Sequence, residues 1–429
     1  MSRRECDVLV VGAGPAGIAA ACRAAECGRS VLLADENPAC GGQIWRADRS
    51  SAGTPVAAAW LARLAASRVE ILPGAAAFEA DADAGVIRFE HEFETVEVHC
   101  RRLVLATGAR ELFLPFPGWT LPGVVGAGGL QALVKGGFPV ALRRVVVAGS
   151  GPLLLAVAGV LSQHGADLLG VFEQAPLADL IRFSLRLWAF PKKLLEAAGL
   201  AMAARGVPLR AGWWVMAAGG ASGGVSEDNA RLKWVKLTDG WRETKVECDL
   251  LACGYGLRPN TELAQLIGCR VSAGAVAVDE FQNTSVDGVL AAGEVTGIGG
   301  AELSLEEGSV AGYAAADEPD RARAHFAARA RYRGFAAALE RAFTLRQELK
   351  GAVTAETIVC RCEDVTAGRL GEFKSWKEAK LGSRCGMGAC QARTCGPAAE
   401  FLYGWGAGSV RPPVLPVRVG TLAGESDPR

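Results

Sequence analysis

The chain has 429 residues and a mass of 44.6 kDa; 50% of its residues are hydrophobic and 54 are glycines. This length allows two or three domains, and the composition is typical of an ordered globular protein. Because 46 basic residues balance 46 acidic residues, no net charge attracts nucleic acid, and we exclude nucleic acid as a partner.

The 13 cysteines are distributed unevenly along the chain. Eight are scattered through the first 269 residues without paired spacing, and five fall between Cys360 and Cys395. Scattered, unpaired thiols are typical of a reducing compartment. The apolar run at the N-terminus is interrupted by glycines with the spacing of a nucleotide turn, so it does not indicate a signal peptide. We therefore expect a cytoplasmic protein, soluble or peripheral at the inner face of the membrane.

The first 35 residues predict a strand at residues 7–11, a tight turn, a helix at residues 16–26 and a second strand at residues 30–34. Gly12 permits the turn, Gly14 lets a pyrophosphate approach the backbone, and Gly17 lets the helix approach the strand. The helix N-terminus offers free N–H groups to phosphates. Asp35 ends the second strand and is expected to accept hydrogen bonds from ribose hydroxyls. These features predict a dinucleotide site.

Two later segments indicate which nucleotide binds there. The apolar segment LVLATGAR (residues 103–110) ends a strand in Thr-Gly, and the segment TSVDGVLAAGEVTGIGGAELSLEEG (residues 284–308) contains Gly293 and Glu294 before a helix. Residues 5–315 resemble the flavoprotein superfamily with two dinucleotide-binding domains, which includes thioredoxin reductase. The resemblance implies FAD, with the late Gly-acid pair at the ribityl chain. Glu294 stands where that superfamily usually has Asp.

The resemblance also places the loop CGGQIWR (residues 40–46) beside the flavin, where Gln43 could form a hydrogen bond with the ring or the ribityl chain. The FAD-binding residues that it implies are Gly12, Gly14, Pro15, Ala16, Gly17, Asp35, Glu36, Gly42, Gln43, Thr107, Gly108, Gly293 and Glu294.

Residues 143–173 repeat the strand-turn-helix-strand pattern with an altered turn. Gly149 and Gly151 are present, but Leu154 takes the third glycine position, where it is expected to push the helix off the strand unless the packing has adapted. Glu173 stands where an acid would favour a 2′-hydroxyl, which leaves NADH or another adenine nucleotide open. No Arg pair lies beside it to accept the 2′-phosphate of NADPH. No cysteine lies between Cys100 and Cys248, so we exclude the known dithiol reductase types. No histidine falls in a recognised motif, and no substrate-binding base is found.

Residues 319–349 predict linking helices, and the C-terminal cysteines follow them. Cys360 and Cys362 form a first pair. Residues 363–389, 27 in number, follow it and lead to a second pair, Cys390 and Cys395. Four such thiolates predict a metal centre. Zinc sites usually have two residues between paired cysteines, free cysteines would not cluster so densely, and disulfides are disfavoured in the cytosol. A [2Fe–2S] cluster is therefore favoured, zinc is the main alternative, and the spacing leaves a role for Cys385 open.

Gly386 and Gly388 support the cluster, because glycines let backbone N–H groups approach the sulfurs. The segment CRCEDVT…RCGMGACQARTC resembles the [2Fe–2S] module of the bacterioferritin-associated ferredoxin type. With residues 108–124 (GARELFLPFPGWTLPGV) and the order of the modules, nearly the whole chain resembles the larger (alpha) subunits of the hydrogen cyanide synthase, opine oxidase (opine dehydrogenase) and hydroxyproline dehydrogenase family. This resemblance implies four ligands, Cys360, Cys362, Cys390 and Cys395.

The family resemblance implies a flavin and iron–sulfur electron-transfer subunit of a heteromeric amino-acid or opine dehydrogenase. An amine-oxidase-like flavoprotein beta subunit would oxidise the C–N bond, a small ferredoxin-like gamma subunit could join the complex, and a quinone or another carrier would accept the electrons. In this family FMN can lie between the subunits. The second turn could hold an adenine nucleotide. The alternatives are a self-contained NADH-dependent reductase and a non-redox assembly subunit.

The predicted fold is therefore α/β, with two interleaved Rossmann-like dinucleotide-binding domains followed by a small, mostly helical [2Fe–2S]-binding domain. The expected boundaries are residues 1–135 for the first part of the FAD domain, 136–250 for the NAD-like domain and 251–318 for the second part of the FAD domain. A helical linker at 319–352, the cluster domain at 353–408 and a Pro-rich C-terminal strap at 409–429 follow.

Overall fold

A computed structural model describes residues 2–45, 54–81, 84–220, 231–406 and 410–424. The chain divides into two compact units. Unit 1 contains Met1–Arg110, Arg258–Ala337 and Ser409–Arg429, and unit 2 contains Glu111–Leu257 and Ala338–Gly408. Unit 1 is built on a mixed sheet and unit 2 on a parallel sheet, both with helices, and in the sequence unit 2 lies between the segments of unit 1. The predicted α/β fold with two interleaved Rossmann-like domains is confirmed.

The strands are β1 (Ser2–Val11), β2 (Val31–Asp35), β3 (Glu70–Pro73), β4 (Ala76–Asp81), β5 (Val86–His91), β6 (Glu94–Leu105), β7 (Ala109–Glu111), β8 (Val124–Gly126), β9 (Arg144–Gly149), β10 (Asp167–Glu173), β11 (Leu209–Ala211), β12 (Trp214–Gly219), β13 (Trp234–Thr238), β14 (Glu243–Glu247), β15 (Leu250–Gly254), β16 (Leu257–Pro259), β17 (Val271–Ser272), β18 (Ala275–Val276), β19 (Val289–Ala291), β20 (Ile358–Cys360) and β21 (Val365–Thr366).

The α-helices are α1 (Pro15–Glu26), α2 (Pro55–Ala65), α3 (Ala127–Lys135), α4 (Leu153–Gln163), α5 (Leu177–Arg186), α6 (Pro191–Ala203), α7 (Glu262–Ile267), α8 (Gly300–Ala315), α9 (Pro319–Arg323), α10 (Phe326–Ala342), α11 (Ala367–Leu370), α12 (Trp376–Ser383), α13 (Cys395–Tyr403) and α14 (Val419–Ala423). Short 3-10 helices lie at Leu187–Ala189, Gly293–Thr296 and Gln347–Ala352.

The sheet of unit 1 has the order β3-β2-β1-β6-β5-β4, and β19 also pairs with β6. Strands β1, β2, β3, β6 and β19 run parallel, and β5 and β4 continue the sheet with antiparallel pairing. The run VLVV at the end of β1 is buried on both faces, as expected for a central parallel strand. This arrangement places the carboxyl ends of β1, β2 and β6 at one edge.

The sheet of unit 2 has the order β11-β10-β9-β15-β8, and all of its pairs are parallel. An antiparallel sheet of β12, β13 and β14 accompanies it. The cysteine-containing segment also belongs to unit 2, where the indole N–H of Trp119 donates to the carbonyl oxygen of Ile358 at 2.6 Å. The small C-terminal module is therefore fastened to a segment that precedes the second sheet in sequence.

The segments predicted as linker and strap contain ordered helices. The predicted linking helices are found as α9 and α10. The described part of the C-terminal segment is extended at first, where the backbone N–H of Val414 donates to the carbonyl oxygen of Phe78 at 2.9 Å, and then forms α14. Thr95 fastens this end by donating a hydrogen bond to the carbonyl oxygen of Thr421 at 2.5 Å.

Candidate functional site

The first predicted nucleotide turn lies between β1 and α1, and close packing requires two of its glycines. Gly12 has a φ of 104°, and a Cβ atom there would stand 2.2 Å from the carbonyl oxygen of Ala106. A Cβ atom at Gly17 would stand 1.8 Å from the carbonyl oxygen of Gly12. At Gly14 no described atom lies within 4 Å of the same position. The turn therefore leaves space at the residue that a pyrophosphate is predicted to approach.

Asp35 is buried at the end of β2, with 7% of its surface exposed. Its carboxylate accepts hydrogen bonds from the backbone N–H groups of Ala13, at 2.5 Å, and Asn37, at 2.7 Å. These bonds hold the second strand against the turn, so the carboxylate lies beside the predicted pyrophosphate position. The neighbouring Glu36 is exposed.

The loop after β2 lies directly on the first turn, where α1 begins at Pro15. Gly42 has a φ of 59°, and a Cβ atom there would stand 2.9 Å from the Cα atom of Gly14. Gln43 is exposed, so its amide is free to turn toward a bound group. Arg46, the last residue of the predicted loop motif, lies outside the described residues.

Thr107 and Gly108 follow β6 and are held by an asparagine that the sequence patterns did not identify. The hydroxyl of Thr107 donates to the carbonyl oxygen of Asn260 at 2.7 Å, and the side-chain amide of Asn260 donates to the carbonyl oxygen of Thr107 at 2.9 Å. The backbone N–H of Asn260 donates to the carbonyl oxygen of Gly108 at 2.9 Å. The sequence signal for this residue is its position in LRPN, directly after β16, but no motif singled it out.

Gly293 and Glu294 lie beside the first turn of α1. Gly293 has a φ of 79°, and a Cβ atom there would stand 2.6 Å from the Cβ atom of Ala16. The backbone N–H of Gly293 donates to the carboxylate of Glu307 at 3.1 Å, and Glu307 forms an ion pair with Arg333 at 2.8 Å. Burial raises the pKa of the Glu294 carboxyl. Glu307, only 2% exposed, is a second organising residue that the sequence patterns missed.

The segments predicted to bind FAD therefore meet at one edge of the unit 1 sheet. The first turn contacts the loop after β2, the end of β6 and the turn after β19. The space at Gly14 and the surrounding glycines form a cradle that a side chain would fill, which fits a dinucleotide. Individual contacts of these residues with FAD remain predictions.

The second turn, between β9 and α4, keeps the same start. Gly149 has a φ of 140°, and a Cβ atom there would stand 1.7 Å from the carbonyl oxygen of Gly254. Glu173 is 4% exposed and accepts hydrogen bonds from the backbone N–H groups of Gly151, at 2.7 Å, and Ala175, at 2.8 Å. Burial raises the pKa of this carboxyl to about 7, although the two N–H groups oppose the shift.

Leu154 is accommodated in the second turn by its surroundings. It is 2% exposed and packs in a core with Val147, Val157 and Ala252. Helix α4 begins at Leu153, whereas the corresponding α1 begins at the proline that follows its Gly-x-Gly turn. The start of α4 and the surrounding core therefore accommodate the leucine side chain. This is the packing adaptation that the sequence allowed as a possibility.

The polar side chains of the second turn form hydrogen bonds with a later segment of the chain. The hydroxyl of Ser150 donates to the carbonyl oxygen of Phe343 at 3.2 Å. Gln174, which is fully buried, donates to the carbonyl oxygen of Thr344 at 3.3 Å and accepts from the backbone N–H of Arg346 at 3.2 Å. We call residues 343–346 the covering segment. No sequence pattern indicated it, because these contacts are long-range and involve backbone atoms.

The structure brings all five C-terminal cysteines together. The sulfur atoms of Cys360, Cys385 and Cys395 lie within 4.8 Å of one another, and all three residues are buried. The thiol of Cys390 contacts those of Cys395 and Cys362. Cys390 is half-buried and Cys362 is exposed. The four predicted ligands are thus neighbours, and Cys385, which the family resemblance sets aside, is a neighbour too.

Local structure explains why these thiols converge. Cys360 ends β20, Cys395 begins α13, and Cys385 follows the end of α12. A Cβ atom at Gly388 would stand 2.3 Å from the Cβ atom of Cys362, so the loop that carries Gly388 can close on this thiol only with glycine there. The backbone N–H of Gly386 donates to the sulfur of Cys360, as the sequence predicted for N–H groups in this loop.

The electrostatics favour thiolates at two positions. Hydrogen bonds from Cys385 and Cys395 lower the pKa of the Cys360 thiol to about 2. A hydrogen bond from Cys395 lowers the pKa of the Cys390 thiol to about 5. Thiolates are the ligands of iron–sulfur clusters and of zinc. The cluster of thiols therefore fits a metal centre.

A cavity opens beside these sulfurs. It is lined by Trp119, Cys360, Arg361, Cys362, Cys390, Thr394 and Cys395. All four predicted ligands face this cavity, and Cys385 is not part of its lining. The ligand set itself remains a prediction.

The two-sheet fold with a glycine cradle at the end of β1 and a thiol cluster defines a flavoprotein type of oxidoreductase. Residues 6–323 match the family model described as pyridine nucleotide-disulphide oxidoreductase. The chain therefore belongs to this family and is an oxidoreductase. Membership supports FAD as the cofactor of the first site, and the thiol cluster is compatible with an iron–sulfur centre. None of the described helices is long and apolar enough to span a membrane.

Curated relatives extend the match to the C-terminal segment. Hydrogen cyanide synthase subunit HcnB of Pseudomonas aeruginosa is 31% identical, over 90% of this chain and 90% of the relative. An opine oxidase subunit of Rhizobium meliloti is 31% identical, over 98% of this chain and 99% of the relative. Both relatives are named as subunits.

Solved structures support the fold. L-proline dehydrogenase from P. horikoshii gives a TM-score of 0.68 at 19% identity, over 98% of this chain and 80% of that chain. T. acidophilum thioredoxin reductase gives a TM-score of 0.54 at 22% identity, over 73% of this chain and 99% of that chain.

Proposed function

We propose that this chain is the flavin and iron–sulfur electron-transfer subunit of a heteromeric amino-acid or opine dehydrogenase, in which a partner flavoprotein oxidises a C–N bond. One observation carries the proposal: a dinucleotide cradle and a five-thiol cluster occur in one chain whose second dinucleotide turn is covered by its own backbone. Such a chain is equipped to hold redox groups and poorly equipped to take electrons from NADH.

The residues that would hold FAD are those of the cradle, and Cys360, Cys362, Cys390 and Cys395 would hold the cluster. When bound, a flavin exchanges two electrons and a [2Fe–2S] cluster one, which is the chemistry that an electron-transfer subunit needs. The chain contributes open space at Gly14, N–H groups at the start of α1 and a glycine-lined loop around the sulfurs. We also propose that the domains begin and end at the boundaries that the sequence predicts.

The electron source is tested by anaerobic stopped-flow absorbance of the flavin. In the complex, an amino acid or opine should bleach the flavin, whereas NADH added to the isolated chain should not. Rapid bleaching of the isolated chain by NADH would favour the self-contained reductase. A complex whose thiol cluster gives no reducible electron paramagnetic resonance (EPR) signal would favour the non-redox assembly subunit.

The ligand set is tested with two matched variants. Cys390→Ser should abolish the EPR signal of the reduced cluster, because an ordinary serine hydroxyl is a poor replacement for a thiolate ligand. Cys385→Ser should retain the signal. The reverse result would assign Cys385 as a ligand and remove Cys390 from the set.

The proposed partner is an amine-oxidase-like flavoprotein beta subunit, and a small ferredoxin-like gamma subunit is a further member. Support comes from the names of the relatives, which are subunits. Co-purification should recover the beta subunit, and acid extraction of the complex should release FAD together with FMN if a flavin lies between the subunits. The same extract would reveal an adenine nucleotide from the second turn. A quinone or another carrier is the proposed final acceptor.

A peripheral position at the inner face of the membrane is part of the proposal, and α5 supports it. Leu177, Ile181, Leu185 and Trp188 are 62%, 51%, 65% and 75% exposed and recur at helical spacing on one side. Arg186 forms no ion pair with another described residue. Exposed apolar side chains along one side of a helix, with a basic side chain elsewhere on its surface, suit the headgroup region of an anionic bilayer.

Vesicle sedimentation tests this position. The chain should sediment with anionic phospholipid vesicles and not with neutral ones, and Trp188→Ser should weaken sedimentation. Trp241, which is 96% exposed and lies in the turn between β13 and β14, provides the matched control Trp241→Ser. Equal sedimentation of both variants and the unchanged chain would argue against this position.

A further inference from the structure

The fifth thiol of the cluster, Cys385, has no role in the ligand set that the family resemblance implies. Its sulfur lies within 4.8 Å of the sulfurs of Cys360 and Cys395. It is fully buried in a small core that also contains Trp376 and Ala379. The question is therefore what a buried thiol does when it contacts two proposed ligands.

The position of Cys385 argues against direct ligation. The cavity beside the thiols is lined by the four predicted ligands, and Cys385 does not line it. Cys385 is buried in the same small core as Cys360 and Cys395, but it is the one of these three that is absent from the cavity lining. Its backbone is fixed on both sides, because its N–H donates to the hydroxyl of Ser383 at 3.3 Å and Gly386 follows with a φ of 80°.

We propose that Cys385 is a positioning and tuning residue, whose S–H group donates a hydrogen bond to the sulfur of Cys360 or Cys395 when these hold the cluster. A thiol is a weak donor, and donors to ligand sulfurs stabilise the more negative, reduced form of an iron–sulfur centre. Removing this donor therefore lowers the reduction potential of the cluster and leaves its iron in place. The inference rests on the proposed cluster.

The test is an EPR-monitored redox titration of the holoprotein, with iron and sulfide content as a second readout. Cys385→Ala should keep the iron content and shift the midpoint potential to a more negative value. Cys385→Ser retains a donor and should return the potential toward that of the unchanged protein. Cys248→Ala is the matched control, because it removes another fully buried thiol of unit 2 and should leave the potential unchanged.

Two results would overturn the inference. Loss of iron from Cys385→Ala, with FAD content retained, would make Cys385 a ligand. Retained iron with an unchanged midpoint potential would show that Cys385 acts only in packing. Should Cys385→Ala fail to fold, Cys385→Val removes the same donor while filling the space, and it faces the same two criteria. Absence of a reducible signal in the unchanged protein would instead contradict the proposed cluster, so the two failures are distinguishable.

Discussion

The two dinucleotide turns of this chain begin alike and end differently. Gly12 and Gly149 both have positive φ values, 104° and 140°, and a Cβ atom at either would collide with a backbone carbonyl group. Asp35 and Glu173 both accept a hydrogen bond from an N–H group of their own turn. The first glycine and the acid are therefore needed to build the turn, whether or not a nucleotide binds.

The turns differ at the third glycine position and in what lies over their polar groups. Gly17 allows α1 to lie against the strand, whereas Leu154 fills a core behind α4. The space at Gly14 and at its counterpart Gly151 is open alike, but at the second turn the covering segment accepts hydrogen bonds from Ser150 and Gln174. The second turn thus keeps its fold, and its polar side chains form hydrogen bonds within the chain.

The largest expected effect distinguishes the glycine that the first turn needs for folding from the glycine that it needs for binding FAD. Gly17→Ala places a Cβ atom 1.8 Å from a backbone oxygen, so we expect a loss of about 3 kcal/mol or more in unfolding free energy and loss of bound FAD. Gly14→Ala meets no described atom and should weaken FAD binding with little change in stability. Flavin absorbance and thermal unfolding measure both. Equal destabilisation by the two substitutions would contradict this division of roles.

At the second turn, the leucine is expected to matter for packing alone. Leu154→Ala should lower the unfolding free energy by about 2 to 5 kcal/mol, because it leaves a cavity in a closed core. Bound FAD and the lack of reduction by NADH should be unchanged. Denaturant unfolding measures the first effect and flavin absorbance the second. Reduction of the flavin by NADH in this variant would mean that the Leu154 side chain itself prevents the nucleotide from binding.

The acid of the second turn should make stability depend on pH. Burial raises the pKa of Glu173 to about 7 in the folded state, above the value of about 4.3 for an exposed Glu. The folded state then binds the proton more tightly, so this stability is present below about pH 4 and is lost as pH rises toward 7. The contribution is at most roughly 3 to 4 kcal/mol.

Unfolding followed between pH 5 and 8 measures this contribution. Glu173→Gln should flatten the dependence across that range. The Arg182→Ala variant, which changes an exposed ion pair on α5, is the control and should keep it. If stability showed no Glu173-dependent fall between pH 5 and 7, the raised pKa would be contradicted.

Local patterns predicted the strands and helices around the two dinucleotide turns, because glycine spacing and apolar runs reflect nearby atoms. The fold class and the first turn could be predicted for this reason. Asn260, Glu307 and the covering segment could not, because their contacts join residues that are 153, 14 and more than 150 positions apart. The cysteine spacing predicted a metal centre, but it could not show that Cys385 is absent from the cavity that the other four cysteines line.

The smallest expected effect tests the covering segment at Ser150, whose counterpart in the first turn is Ala13. The Ser150 hydroxyl donates to the carbonyl oxygen of Phe343 at 3.2 Å and accepts from the side-chain amide of Gln174 at 3.0 Å. Ser150→Ala should therefore lower the unfolding free energy by about 1 kcal/mol and speed amide hydrogen exchange in the covering segment. The exposed Ser162→Ala, on α4, is the control and should change neither quantity. NADH should still fail to bleach the flavin, because the bonds of Gln174 to the segment remain; bleaching would show that one hydroxyl holds the second turn closed.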